Sequence, residues 1–119
     1  MRHAVVSFSN GESFNVVVAQ TAEEQVQGLA GWGALPSASG EGMLFAFGER
    51  STHRMWMKGM RFSIDMVFIA GITVVQIERA LIPGSEALEG NVPSDYVLEL
   101  PARWSSRLSL GDKMNVRFL

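Results

Sequence analysis

Short runs of β-branched and aromatic residues recur along the whole chain and are separated by turn-forming residues. His3–Phe8 and Ser13–Ala19 flank an Asn-Gly pair, which is the strongest short signal for a β-hairpin with a type I′ turn. Further runs lie at residues 43–47, 72–80, 96–100 and 114–119. Together with the segment 54–70 they make about seven short strands. Strands this short and this frequent favour a mainly β fold, namely an antiparallel β-sandwich or barrel.

Two short helices are predicted between these strands. Thr21 and Glu24 have the spacing of a capping box, so a helix is expected over about residues 22–30, with Gly31 at its end. Pro101 suits the first position of a second helix that ends near Gly111. Residues 31–42 and 82–94, which are rich in glycine, proline and serine, are predicted to be loops.

The segment Arg54–Ala70 is almost entirely apolar, yet it contains Lys58 and Asp65. A tight turn at Met60-Arg61 would pair Trp56 with Asp65, and alternation would then place Lys58 and Asp65 on the same side of the hairpin. Because an unpaired charge inside a strand is costly, we expect the two side chains to interact.

Length and composition limit the classes of protein that the chain can belong to. With 119 residues, 47% of them apolar, the chain is expected to form a single domain over residues 1–119. No run approaches the ~18 apolar residues of a membrane span. The net charge of −2 argues against nucleic-acid binding, and the absence of cysteine excludes disulfides and thiolate metal sites. No signal peptide is recognised, so the protein is expected to be cytoplasmic as it stands, or exported with its signal removed.

Several separate motifs, in the same order, resemble the prokaryotic family known as domain of unknown function 192. The resemblance covers about Thr21 to the C-terminus and includes Gly42-Met43-Leu44-Phe45, Trp56-Met57-Lys58, Ile64-Asp65, Val97-Leu98-Glu99-Leu100-Pro101 and Gly111-Asp112. It implies an antiparallel β-sandwich or barrel with short helices and no established activity. The chain departs from the family pattern at Ala30, Trp32, Met55, Gly59, Met60 and Ser63. If a family function uses those positions, it is altered here.

Lys58, Asp65 and Glu99 are the first candidate site residues. A lysine beside carboxylates is able to orient an anionic or carbonyl-bearing ligand, or to act in acid–base chemistry. The same pair can equally well serve only to fix the register of two strands, and that structural role is the more common one.

The large side chains offer two further interpretations. The three tryptophans, Trp56, Trp104 and Trp32, are able to stack on a flat ligand, although large aromatics in a small β domain usually serve packing. Trp32 lies in a glycine-rich loop and is expected to be the most exposed of the three. Thioethers bind Cu(I), and Met43, Met55, Met57, Met60 and Met66 lie close together in the sequence near His53. Alternation nevertheless predicts that most of these methionines fill the core.

The sequence therefore predicts a non-catalytic domain with a surface that binds a small molecule or a protein partner. Trp56, Lys58, Asp65, Glu99 and Trp32 are its candidate residues, and the loops at 31–42 and 82–94 form its rim. An enzyme using a Lys58–carboxylate pair is the alternative, and a Cu(I) carrier is a third possibility. No cofactor or resident metal is predicted, and the sequence leaves the oligomeric state open.

Overall fold

A computed structural model describes residues 1–33, 40–86 and 88–119, with Glu89 described for its backbone alone. Nine strands and one short helix occur in these residues. They are β1 (Arg2–Phe8), β2 (Ser13–Ala19), α1 (Ala22–Gln27), β3 (Gly42–Ser51), β4 (Arg54–Met55), β5 (Ile64–Ala70), β6 (Thr73–Leu81), β7 (Leu88–Glu89), β8 (Ser94–Pro101) and β9 (Met114–Phe118).

Seven of these strands form one mixed sheet in the order β6-β5-β8-β3-β2-β1-β9, and β4 pairs with β7 in a separate two-stranded sheet. The sheet is mainly antiparallel, as predicted, but β2 and β3 run parallel. Parallel neighbours need a long crossover, and α1 with the residues that follow it provides one. The sheet is open rather than closed, so the predicted sandwich or barrel is not confirmed.

The first hairpin is confirmed in its strands but not in its turn. β1 pairs with β2 from Arg2 opposite Val18 to Ser7 opposite Ser13. Gly11 has a φ of 96°, whereas Asn10 is not among the described residues with positive φ. A type I′ turn requires positive φ at both central residues, so that prediction is wrong.

Helix α1 begins as predicted and ends earlier. The Thr21 hydroxyl accepts a hydrogen bond from the Glu24 amide, and the Glu24 carboxylate accepts one from the Thr21 amide. The helix ends at Gln27 because Gly28, with φ of 50°, adopts a conformation that other residues disfavour. The predicted second helix is wrong, because Pro101 belongs to β8 and turns occupy residues 102–107.

The predicted central hairpin does not form. Arg54 and Met55 pair with Glu89 and Leu88, while β5 pairs with β6 and β8. A turn forms two residues earlier than predicted, where the Met60 amide donates to the Met57 carbonyl at 3.1 Å. β7 lies within residues 82–94, which were predicted to be a loop. Part of the other predicted loop, residues 34–39, lies outside the described residues.

The two faces of the sheet are covered by different groups of buried side chains. On one face, a cluster of buried side chains has members in all seven strands of the large sheet, for example Val6, Leu44, Leu98 and Leu100. A methionine-rich cluster on the other face contains Met43, Met55, Met57 and Met66 together with Leu29, Phe45, Phe68 and Val97. Because side chains alternate along a strand, neighbouring residues of β3 and β8 serve different clusters. The predicted apolar set Met55, Met57, Ile64, Met66 and Phe68 shares the methionine-rich cluster.

Candidate functional site

A cavity of about 360 Å³ lies on the methionine-rich face of the sheet, between α1, β3 and residues 53–60. Its volume falls within the range of about 300–1,000 Å³ that is typical of small-molecule sites. We call it the α1 cavity. Val26 and Leu29 contribute apolar surface from α1 and the turn that follows it. Val26 is 63% exposed at this opening, whereas Leu29 is 1% exposed and belongs to the methionine-rich cluster.

Three stacked rings lie along one side of the α1 cavity. Phe45 and Phe47 alternate along β3 and therefore lie on the same face, with ring centroids 6.1 Å apart. The ring of His53 stacks on Phe47 at a centroid distance of 3.6 Å and an interplanar angle of 11°. All three residues line the cavity, and together they form its aromatic wall.

Glu99 also lines the cavity. Among the described residues, it is the one buried acid on the methionine-rich face of the sheet. It lies in β8 between Met43 of β3 and Met66 of β5. The residue is 3% exposed, and its side chain makes no hydrogen bond or ion pair with residues 1–33, 40–86 or 88–119. Burial disfavours the charged form and raises the pKa of Glu99 from 4.5 to about 8. Near neutral pH the carboxyl group is therefore mainly protonated and is able to donate a hydrogen bond.

Charged side chains also line the cavity where it meets solvent. Glu49, Arg54 and Lys58 are exposed, and neither Arg54 nor Lys58 forms an ion pair within the described residues. The prediction that Lys58 lies half-buried in a strand of the central hairpin is wrong, since it is exposed in the turn at 57–60. This arrangement leaves two cations available to an anionic group.

Asp65 lies on the opposite face of the sheet and does not line the cavity. Its carboxylate accepts hydrogen bonds from the Ala80 amide at 2.8 Å and from the amide and hydroxyl of Ser105 at 3.0 and 2.6 Å. The predicted Lys58–Asp65 pair is therefore absent among the described residues. Asp65 instead connects β5 to the end of β6 and to the turn after β8.

The three tryptophans have different environments. Trp56 is 45% exposed and lines the α1 cavity. Trp32 is half-buried against the methionine-rich cluster, and it is not among the residues that line the cavity. Trp104 packs beside Phe14 with ring centroids 6.2 Å apart. Of the predicted site residues, Trp56, Lys58 and Glu99 thus meet at one cavity, whereas Asp65 and Trp32 do not join them.

The aromatic wall was not among the predicted features of the site. The alternation of Phe45 and Phe47 in β3 already implied that the two rings share a face. No local signal indicated that His53 would stack on them, because its position depends on the turn after β3.

The methionines lie where alternation predicts. Met43, Met55, Met57 and Met66 are at most 7% exposed, in keeping with a role in the core, and Met60 is half-buried at the cavity. The described residues contain no group of three or more His, Cys, Asp or Glu side chains placed to hold a metal ion. They also contain no helix that is long and apolar enough to cross a membrane.

These features define a class: a mainly β protein with an open mixed sheet and a cavity of small-molecule size on one face. The profile of the DUF192 family, described as "Uncharacterized ACR", matches residues 5–118. The chain belongs to this family, as the sequence motifs indicated. No curated protein matches it.

Two solved structures resemble the chain over most of its length. One, from Sinorhizobium meliloti 1021, is described as a "putative transcription regulator". It is 32% identical to this chain with a TM-score of 0.83, and the match covers 97% of this chain and 92% of that one. The other is a protein of unknown function from Novosphingobium aromaticivorans DSM 12444, with a TM-score of 0.83 and 25% identity over 95% of this chain and 83% of that one. The family and this relative leave the function open.

Proposed function

We propose that this protein is a non-catalytic, small-molecule-binding domain and that the α1 cavity is its binding site. The observation that carries the proposal is Glu99, a buried acid without a hydrogen-bond partner in the described part of the chain, at an apolar cavity. Its carboxyl group reaches the cavity, so a molecule bound there is able to supply the hydrogen bond that the described residues do not.

Glu99 is difficult to explain as a packing residue. Its neighbours across the sheet are Met43 and Met66, and a methionine or leucine would fill the same space without a desolvation cost. A bound molecule that accepts or donates a hydrogen bond would satisfy the carboxyl group. A costly group of this kind in a cavity is typical of functional sites.

Exposed apolar surface at the rim supports the same conclusion. Val26 and Trp56 are 63% and 45% exposed, and both line the cavity. A ligand of moderate size would cover these two side chains together with the edges of the stacked rings. Burying them would supply a hydrophobic contribution to affinity.

The alternative functions have less support. No ionisable side chain within residues 1–33, 40–86 or 88–119 hydrogen-bonds to Glu99, so an enzyme would lack a nucleophile–base pair there. The methionine thioethers are mostly committed to the core, which disfavours a Cu(I) carrier. The S. meliloti relative is described as a transcription regulator, but 10 basic against 12 acidic residues give this chain no field for DNA.

The proposal can be tested with the flat anionic dye 1-anilinonaphthalene-8-sulfonate. Titration of the ¹⁵N-labelled protein should shift amide signals in α1, β3 and residues 53–60, and dye fluorescence should rise with saturation. Trp56→Ala should weaken binding about fivefold, since an aromatic contact beyond simple area is worth about 1 kcal/mol.

Phe118→Ala is the matched control. Phe118 is 40% exposed, close to the 45% of Trp56, and it does not line the α1 cavity. This variant should bind the dye as the unaltered protein does. Equal losses for both variants, or signal shifts centred elsewhere, would show that the α1 cavity is not the binding site.

A further inference from the structure

The chemistry of the α1 cavity restricts the class of molecule that it accepts. We infer that the ligand is a small organic acid with a flat apolar body, whose acidic group meets Lys58 and Arg54 and whose far end presents a hydrogen-bond acceptor, such as a carbonyl oxygen, to Glu99. This inference rests on the proposed function, because it assumes that the α1 cavity is the binding site.

The acidic group follows from the charges at the solvent-facing side. Arg54 and Lys58 line the cavity, are exposed, and have no acidic partner in the described residues. Glu49 is the exposed acid that lines it, so the described lining carries one more cation than anion at this side. A carboxylate is attracted by such an arrangement, and a guanidinium can bind it through two parallel hydrogen bonds.

The flat body follows from the aromatic side chains that line the cavity. The rings of Phe47 and His53 are nearly parallel and 3.6 Å apart, and Phe45 extends the same wall. Trp56 adds a further large ring to the lining. Aromatic surfaces of this kind pack well against planar molecules, and the volume of about 360 Å³ suits one or two fused rings.

The acceptor follows from the environment of Glu99. Around the carboxyl group there is neither a cation nor a hydrogen-bond donor from the described part of the chain that would stabilise its ionised form. A neutral carboxyl group has one O–H to donate, and a carbonyl oxygen of the ligand would accept it. Burial, which raises the pKa of Glu99 to about 8, keeps this proton in place at neutral pH.

An amine ligand is the opposite possibility. It would form an ion pair with ionised Glu99, but it would have to pass Arg54 and Lys58, which repel cations. Among the described residues, the ionisable or charged side chains that line the cavity are Glu49, His53, Arg54, Lys58 and Glu99. A pH dependence that arises from Glu99 must therefore be separated from one that arises from His53.

Three matched probes distinguish these classes by calorimetric titration. They are 6-acetyl-2-naphthoic acid, which has both groups, 2-acetylnaphthalene, which lacks the acid, and 2-naphthylmethylamine, which carries a cation. The acid should bind about tenfold more tightly than 2-acetylnaphthalene, and replacing both Arg54 and Lys58 with glutamine should remove that advantage.

The pH dependence identifies the role of Glu99. Affinity for the acid should fall about tenfold between pH 7 and pH 9, as the carboxyl group with a pKa of about 8 loses its proton. Glu99→Gln keeps a donor of similar shape, so its affinity should not change over this range. His53→Gln should retain the tenfold fall.

The outcomes separate the inference from the proposed function. If 2-naphthylmethylamine binds best, gains affinity as pH rises and is lost in Glu99→Gln, the ligand class is wrong, although the cavity still binds small molecules. If neither the naphthalene probes nor the anilinonaphthalene dye shifts amide signals around the cavity, the proposed function fails.

Discussion

Replacing Glu99 with glutamine should remove a large pH dependence from the stability of the protein. Burial raises the pKa of Glu99 from 4.5 to about 8, so the folded protein binds the proton more tightly than the unfolded chain does. The contribution of Glu99 to the free energy of unfolding should therefore be greatest at low pH, fall as pH rises above 4.5, and level off above about pH 8.

The size of the effect follows from the position of the two pKa values. Between pH 6 and pH 9, about two pH units lie below the folded pKa of about 8, and each contributes roughly 1.4 kcal/mol. The unaltered protein should lose roughly 3 kcal/mol from this group over that interval. A glutamine at the same position cannot ionise, so Glu99→Gln should lack this loss.

Urea denaturation at pH 6 and pH 9, in the absence of ligand, measures the effect. Subtracting the pH dependence of Glu99→Gln from that of the unaltered protein cancels the contributions of groups common to both. Glu49→Gln is the control, because Glu49 is exposed and should leave the pH dependence unchanged. If Glu99→Gln and the unaltered protein lost the same free energy between pH 6 and pH 9, the description of Glu99 as a buried, unpaired acid would be wrong.

Four further substitutions, one of them a control, test the contacts that hold the fold around the cavity. Asp65→Ala should lower the free energy of unfolding by about 3 kcal/mol, because three donors lose their buried acceptor. Dye binding by the folded protein should persist. An unchanged free energy of unfolding in urea denaturation would contradict this role of Asp65. Gly42→Ala should cost about 2 kcal/mol, since an added Cβ would lie 2.5 Å from the Glu99 carbonyl oxygen. In Gly33→Ala nothing lies within 4 Å of the new methyl group, so the free energy of unfolding should change little. Similar losses of stability in both glycine variants would contradict the predicted clash at Gly42. Thr21→Ala should cost about 1 kcal/mol through its capping box, and an unchanged midpoint of thermal unfolding would argue against that contribution.

Local sequence signals predicted most of the strands but little of their pairing. The β-branched runs place β1, β2 and β9 within one residue or so of the structure, because alternation is a property of adjacent residues. The predicted hairpin at Met60-Arg61 was wrong because the turn formed earlier and β4 found a distant partner in β7. Strand pairing depends on contacts far apart in sequence, which a short window does not contain.

The same distinction applies to the candidate site. Trp56, Lys58 and Glu99 were singled out from their residue types. Alternation puts Trp56 and Lys58 on the side away from Met55 and Met57, and in the structure the first two are exposed and the two methionines are buried. The sequence did not reveal which acid would lie near them. In β5 and β8, Asp65 is directly opposite Leu100, one residue from Glu99, and a shift of one residue places a side chain on the other face of the sheet.

The sequence by itself thus determined a mainly β protein, its family, the capped start of its helix and the residue types available for a site. Only the tertiary structure decided that Asp65 accepts three hydrogen bonds within the protein while Glu99, at a cavity, has no partner among the residues that the structure describes. The physical reason is that the cost of a buried carboxyl group depends on the donors around it. Those donors come from Ala80 and Ser105, which are distant in sequence from Asp65 and lie next to it only in the folded sheet.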